Sequence, residues 1–298
     1  MQESQNWSEF IITRLIKIAG YSAIVFVGAI FFFLLKEGLY ALTEVQFSTF
    51  ISDRWYPIEG YYGLLPLLEG SLIVTIGATL IAVPIGLGTA VFIAEVAPRW
   101  ARDVLKPLVE VLGGIPSVVL GFLGILVFAP YLRVLFNLPT GLSAFTGSVL
   151  LAAMSLPTIV SIAEDALDTV PRSYRNASLA LGATEWQTIW NVTVPAARSG
   201  IVTAVMLGIG RTIGETMTVM MVTGNAGVLF KGVKSFFNPV RTMTATIAAE
   251  MGEVATGSIH YHVLFFIGIL LFMFSLAINI TAYAVVNRKR KRSERILS

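Results

Sequence analysis

The 298-residue sequence has no cysteine, two histidines and 13% charged residues, roughly half the charge of a soluble globule. Without cysteine there is no disulfide, no thiolate nucleophile and no cysteine metal site. His260 and His262 have no carboxylate at metal-ligand spacing; they read as a solvated pair at a membrane boundary, and no metal site is expected. A GxxxxGK[ST] loop is also missing, so the chain cannot cradle ATP by that device. No nucleophile, base and orienting acid occur together. No catalytic residue is expected, and the chain is not read as an enzyme.

What is present is apolar. Hydrophobic residues make up 55% of the chain and the mean hydropathy is +0.77, which makes the bilayer its solvent. A net charge of +3 and a pI near 9.2 raise the question of nucleic acid. The basic residues are not interleaved with aromatics on a polar domain, however. A large share forms the run Arg288, Lys289, Arg290, Lys291 and Arg292 directly after an apolar segment. That is the pattern of a cytoplasmic anchor, and no nucleic-acid partner is expected.

Six apolar stretches reach the ~20 residues needed to cross hydrocarbon: 19–41, 66–94, 107–136, 143–165, 197–225 and 261–286. The fold class is therefore an all-α polytopic membrane protein with six transmembrane helices. An even number puts both termini on one side. That side collects Arg14 and Lys17; Arg99, Arg102 and Lys106; Arg172, Arg175 and Arg198; and the six Lys and Arg after Asn287, fourteen in all. The other side receives five: Arg54, Arg133, Lys231, Lys234 and Arg241. The asymmetry predicts cytoplasmic termini in an inner membrane. Residues 1–18, with Trp7, Phe10, Ile11, Leu15 and Ile18 on one helical face, read as an interfacial helix along the inner leaflet. The apolar run that follows is longer than a signal-peptide core and lacks a small-x-small cleavage site, so it stays on as a span. Residues 19–286 form the membrane domain and 287–298 a basic cytoplasmic tail. In the first outer loop Trp55, Tyr56, Tyr61 and Tyr62 read as an aromatic belt at headgroup level. The run 242–255 is too short to span and too charged to bury, which puts it at the outer surface.

Between the fourth and fifth spans lies a polar-faced interruption, residues 170–197. Tyr174, Ala177 and Leu181 recur at helical spacing after Pro171, and Gly182 supplies the left-handed residue that ends that helix. Thr184 caps a second helix and Gln187 reaches back to it. The second helix presents Trp186, Ile189, Trp190 and Val194, and Pro195 closes the unit. Two short amphipathic helices meeting at a glycine make a compact knob, suited to docking a soluble partner on the cytoplasmic side.

The fifth span carries GIGRTIGET. Arg211 stands 13 positions after Arg198, which lifts its Cα roughly 20 Å into a ~30 Å core. An arginine there costs on the order of 2.5–3.5 kcal/mol and must face a partner or water. Three readings are open: a GxxxG packing motif formed by Gly210 and Gly214; a structural ion pair with Glu215, four residues on and on the same face; and a transient anion site. A guanidinium fork matches a tetrahedral oxyanion, and the glycines leave room beside it. Glu215 would then accept the proton of hydrogen phosphate and repel sulfate. Pro84, Pro116 and Pro157, interior to three consecutive spans, either kink helices for packing or mark a polar path.

The interruption resembles the coupling loop of ABC importer permeases, whose motif runs Glu-Ala-Ala, three residues, Gly, nine residues, Ile, one residue, Leu-Pro. Here Asn176, Ala177 and Ser178, then Gly182, Val192, Val194 and Pro195 keep that spacing, with Asn176 in place of the acidic residue. PSVVLGFLG after Gly113-Gly114-Ile115, LPTIVSIAEDALDTVP at 156–171 and GRTIGETMTVMMVTGN at 210–225 are similar to the PstC-type permease subunits of the bacterial phosphate importer. The resemblance implies the type I ABC importer permease fold and phosphate import. It implies a PstA-like second permease, a PstB-like ATPase dimer that holds the ATP and Mg, and a PstS-like phosphate-binding protein. It puts Arg211 and Glu215 at positions expected to matter for phosphate passage. With them Gly210, Gly214, Ser117 and Asn225 are expected along the substrate path, and Tyr174, Ala177, Leu181, Gly182, Trp186 and Pro195 against the ATPase. Import of sulfate or molybdate is the alternative within the class; a secondary transporter or channel is the alternative outside it.

Overall fold

The computed structural model describes residues 2–229 and 232–297; Lys231 and Ser298 of the sequence reading lie outside them. Helix α1 runs Gln2–Gly38. A two-stranded hairpin, β1 Trp55–Tyr56 and β2 Tyr61–Tyr62, pairs Trp55 with Tyr62. Next come α2 Leu65–Val91, which continues as a wider turn over Phe92–Val96, and α3 Arg99–Gly113. Helices α4 Ser117–Leu123 and α5 Ala129–Leu135 are joined by a wide turn at Gly124–Phe128. Helix α6 is Ala144–Asp168. The knob contains α7 Arg172–Ala180 and α8 Glu185–Thr188, and after it come α9 Arg198–Gly214 and α10 Met217–Val222. Helices α11 Met243–Glu250 and α12 Ile259–Leu297 end the chain.

Among the described residues five helices are long and apolar enough to cross a bilayer: Glu9–Glu44, Leu65–Val96, Ser117–Leu135, Ala144–Asp168 and Ile259–Thr281. The pair Glu185–Ala196 and Arg198–Gly214, bent by 71°, makes six when counted as one. Helix α6 is the centre, with α2, α9 and α3 packed on it, while α1 leans on α12 at the periphery. The burial pattern follows. Leu150, Leu151, Ile159 and Val160 of α6 are buried, whereas Ile24, Phe26 and Phe32 of α1 are bare, as lipid-facing residues should be.

Several expectations are corrected. No break separates residues 1–18 from the first span, because α1 is one helix. The third span starts at Ser117 rather than 107; residues 107–113 belong to α3, which Gly114 and the extended Pro116 cut off. Pro116 therefore caps a helix, while Pro84 and Pro157 are interior. The fifth span is interrupted at Glu215, whose backbone is extended (φ −70°, ψ 130°). The run 242–255 is a surface segment only in its second half: Met243, Thr244, Ala245 and Thr246 of α11 are buried, while Gly252, Glu253 and Ala255 are exposed. Of its two carboxylates Glu250 is paired, meeting Arg241 and His260, while Glu253 is exposed. The histidines are accordingly not a solvated pair. His260 Nε2 lies 2.8 Å from Glu250 Oε2, and the buried His262 contacts the Glu37 carbonyl at 2.9 Å. Trp55 and Tyr62 are buried as well, not a headgroup belt.

Candidate functional site

Arg211 lies one turn before the end of α9. The helix stops because Glu215 turns extended and is held there from two sides. Its Oε1 accepts the Thr218 N–H at 3.3 Å, so the carboxylate caps α10. Its carbonyl accepts the Thr244 hydroxyl of α11 at 3.0 Å. Thr218 in turn donates to the Ser117 carbonyl at 2.9 Å, which ties the start of α10 to the start of α4.

The break separates Arg211 from its expected partner. Glu215 makes no ion pair with it; the guanidinium donates instead to Thr158 Oγ1 at 3.1 Å and, weakly, to the Gly113 carbonyl at 3.5 Å. Both acceptors are neutral. Gly113 comes this close because a Cβ there would stand 3.2 Å from Pro157. Among the described residues no carboxylate lies within ion-pairing distance of Arg211, so near the end of an apolar helix a charge stands without a counter-charge from them. Gly210 and Gly214 do not form a GxxxG contact within this chain. A Cβ on Gly210 or Gly214 would meet nothing within 4 Å, whereas one on Gly208 would stand 2.5 Å from Ile159. Gly208 makes the close helix contact, and the other two glycines are exposed.

The structure thus groups Arg211 with Thr158 and Gly113, and links Glu215 and Ser117 through Thr218. Asn225 stands apart at the far end of α10, left-handed at φ +49°. Its Nδ2 donates to the Met220 carbonyl at 2.6 Å, and its Oδ1 is buried without a partner. Thr158 is not among the sequence-based candidates; its one signal is its place directly after Pro157, interior to α6.

The knob follows local rules. Gly182 has φ +86°, and the capping box is complete, with Gln187 N–H donating to Thr184 Oγ1 at 3.2 Å and Thr184 N–H to Gln187 Oε1 at 2.9 Å. Ser178 and Thr188 hydroxyls, 2.9 Å apart, join the two helices. The second helix is not one regular element. After α8 it widens over Ile189–Thr193, which turns Ile189 inward and leaves Trp186 and Trp190 outside, edge to face at 5.7 Å. Tyr174, Ala177, Gly182, Trp186 and Pro195 are exposed, and Leu181 is 90% exposed. Large apolar side chains thus stand exposed together on the knob.

The knob is mounted on a set of ion pairs that spacing alone did not reveal. Arg175 of α7 pairs with Glu95 at the end of α2 and donates to the Leu167 and Val170 carbonyls, each at 3.0 Å, at the end of α6. Lys106 of α3 contacts Glu164 at 2.6 Å and Asp165 at 3.1 Å, and Arg102 stands 3.8 Å from Asp168. Hydrogen bonding to Glu164, reinforced by Asp165, pushes the Lys106 ammonium up to about 12, against a smaller opposing effect of burial.

A broken helix with an arginine near its end, six apolar crossings and an exposed two-helix knob define the class: a permease of the ABC importer type. A crystal structure of a bacterial alginate ABC transporter, in complex with alginate pentasaccharide-bound periplasmic protein, has this fold. It matches at a TM-score of 0.64 over 95% of this chain and 97% of that one, at 15% identity. The chain belongs to the family of binding-protein-dependent transport system inner membrane components, whose model matches residues 82–292. It is 42% identical over 251 residues to the "Probable ABC transporter permease protein YqgH" of Bacillus subtilis, covering 83% of this chain and 80% of that protein. It is 35% identical over 281 residues to the phosphate transport system permease protein PstC of Mesorhizobium japonicum, covering 88% and 85%.

Proposed function

We propose that this chain is the permease subunit of an ATP-driven importer of inorganic phosphate, with Arg211 as the transient anion site. Relatives that carry the phosphate permease name support the substrate. The observation that carries the reading in this molecule is a guanidinium near the end of an apolar helix, held only by a hydroxyl and a carbonyl, with two exposed glycines on the same helix. A half-buried guanidinium within an apolar helix and without a counter-ion is one that a passing anion would stabilise. Glu215 Oε2, free of hydrogen bonds among the described residues, accepts the proton of hydrogen phosphate. Sulfate has no such proton and meets repulsion. Ser117 and Asn225 flank the path at the starts and ends of the helices around it.

The knob and both termini lie in the cytoplasm. An ATPase dimer docks on Tyr174, Ala177, Leu181, Gly182, Trp186 and Pro195, and ATP and Mg are held there rather than in this chain, which hydrolyses nothing itself. A second, similar permease faces the open side of α9, and a phosphate-binding protein delivers the anion from outside. ATP-driven closure of the ATPases drags the knobs together and opens the helix bundle outward; hydrolysis reverses it. The test is Arg211→Gln in proteoliposomes that contain all four kinds of subunit. Losing charge-assisted bonds of about 1.5–3 kcal/mol predicts an uptake loss of about 10- to 100-fold, with ATP hydrolysis retained. Undiminished phosphate uptake would overturn the assignment, and equal transport of sulfate would overturn the role of Glu215.

A further inference from the structure

On the face opposite the knob, the hairpin and the end of α11 enclose a cavity of about 360 Å³. Its walls include Trp55, Tyr56, Ile58, Glu250, Glu253 and His260. The floor is already complete. Glu250 Oε1 accepts from Trp55 Nε1 at 3.1 Å and from Arg241, and Oε2 meets His260 Nε2 at 2.8 Å. The Trp55 and His260 rings pack edge to face at 6.1 Å. Every strong acceptor of Glu250 is therefore used, and the aromatic wall is fixed before anything arrives.

Two features are left over. Glu253 is exposed and has no ion pair or side-chain hydrogen bond among the described residues. Tyr56 and Ile58 form a bare rim, Ile58 at 88% exposure. Arg241 and His260 are both taken up by Glu250, so Glu253 is the carboxylate of the cavity that they leave without a partner. The complement of the cavity is a long basic side chain, whose methylenes lie along Ile58 and whose head reaches Glu253 past the aromatic faces.

We propose that this cavity is a docking socket for a lysine or arginine presented by the soluble protein that delivers the anion. The socket rests on the importer reading above. It assigns Glu253 a part in recognition and none in permeation.

The test is Glu253→Gln and Glu253→Lys in the reconstituted complex, with uptake measured against the concentration of phosphate-loaded binding protein. Glu253 is exposed, so both variants should fold. The half-saturating concentration should rise about two- to fivefold for Gln, the worth of an exposed ion pair, and further for Lys. The saturating rate and basal ATP hydrolysis should not change. Raising the salt should weaken wild-type half-saturation and leave that of Glu253→Gln flat. An unchanged half-saturation in Glu253→Lys, or a lower saturating rate at unchanged half-saturation, overturns the socket and leaves the importer reading intact. Wild-type uptake that needs no binding protein overturns the importer reading and removes the socket's occupant with it.

Discussion

Replacing Gly182 separates the geometry of the knob from its composition. Its φ of +86° lies in the region that L side chains avoid, and a Cβ built there meets nothing within 4 Å. Any penalty is therefore torsional, with no contribution from crowding. Asparagine visits this region readily, a non-glycine residue such as alanine costs about 1–2 kcal/mol, and β-branched valine costs more. At ~1.4 kcal/mol per tenfold, alanine reduces the native turn about tenfold against its competitors. The helices on either side survive, because the Thr184–Gln187 box and the Ser178–Thr188 contact do not involve residue 182. Only the angle between them is released. Phosphate moved per ATP hydrolysed, measured in the reconstituted complex, should run Gly182 ≈ Asn > Ala > Val, with hydrolysis persisting as uptake falls. Coupling in Gly182→Val equal to wild type would refute the reasoning. So would an Asn variant as poor as Val, which would make bulk on the docking surface the cause.

Two further outcomes follow from the packing. Arg175→Gln leaves the nearly buried Glu95 without its counter-charge and should lower unfolding stability in detergent by about 3–5 kcal/mol, while the double variant Arg175→Gln/Glu95→Gln recovers much of the loss; equal melting of the single and double variants would contradict this. Gly208→Leu forces side-chain atoms against Ile159, where even a Cβ stands 2.5 Å away, and should destabilise by about 1–3 kcal/mol or more. Gly210→Ala and Gly214→Ala should leave the melting of the isolated chain unchanged, and a loss there comparable to Gly208→Leu would restore the GxxxG reading.

The parts of this fold that were legible are those decided within a few residues. Gly182 and the Thr184–Gln187 box are local chemistry, and the long apolar runs announce the bilayer. Errors arose where a residue distant in sequence decides. Arg211 and Glu215 stand four apart and look like a helical pair, but Thr244, 29 residues beyond Glu215, holds its carbonyl and helps fix the break. The charges of 242–255 argued for exposure throughout; Trp55, Arg241 and His260 satisfy Glu250 and let the first half of α11 be buried. Residues 107–113 were merged with the third span because apolar count cannot distinguish a lipid-crossing helix from an amphipathic one. Lys106 and Arg102 settle that question by facing Glu164, Asp165 and Asp168 of α6.

Helix α11 joins the two ends of the proposed mechanism. Glu250, at its last residue, forms the floor of the outer socket, and Thr244, near its first, holds the break that follows Arg211. Eight residues of helix span about 12 Å, and the first four, Met243 to Thr246, are buried. Glu253 stands in the turn directly after that helix, and near its other end the Thr244 hydroxyl donates to the Glu215 carbonyl at 3.0 Å. Removing that hydroxyl takes one of the two holds on Glu215 and leaves the other, the Thr218 N–H on its carboxylate. Thr244→Val should therefore lower the saturating rate of uptake and leave the half-saturating concentration of the binding protein unchanged, the reverse of what Glu253→Lys should do. Thr244 is where a valine, equal in shape and unable to donate, separates docking from permeation.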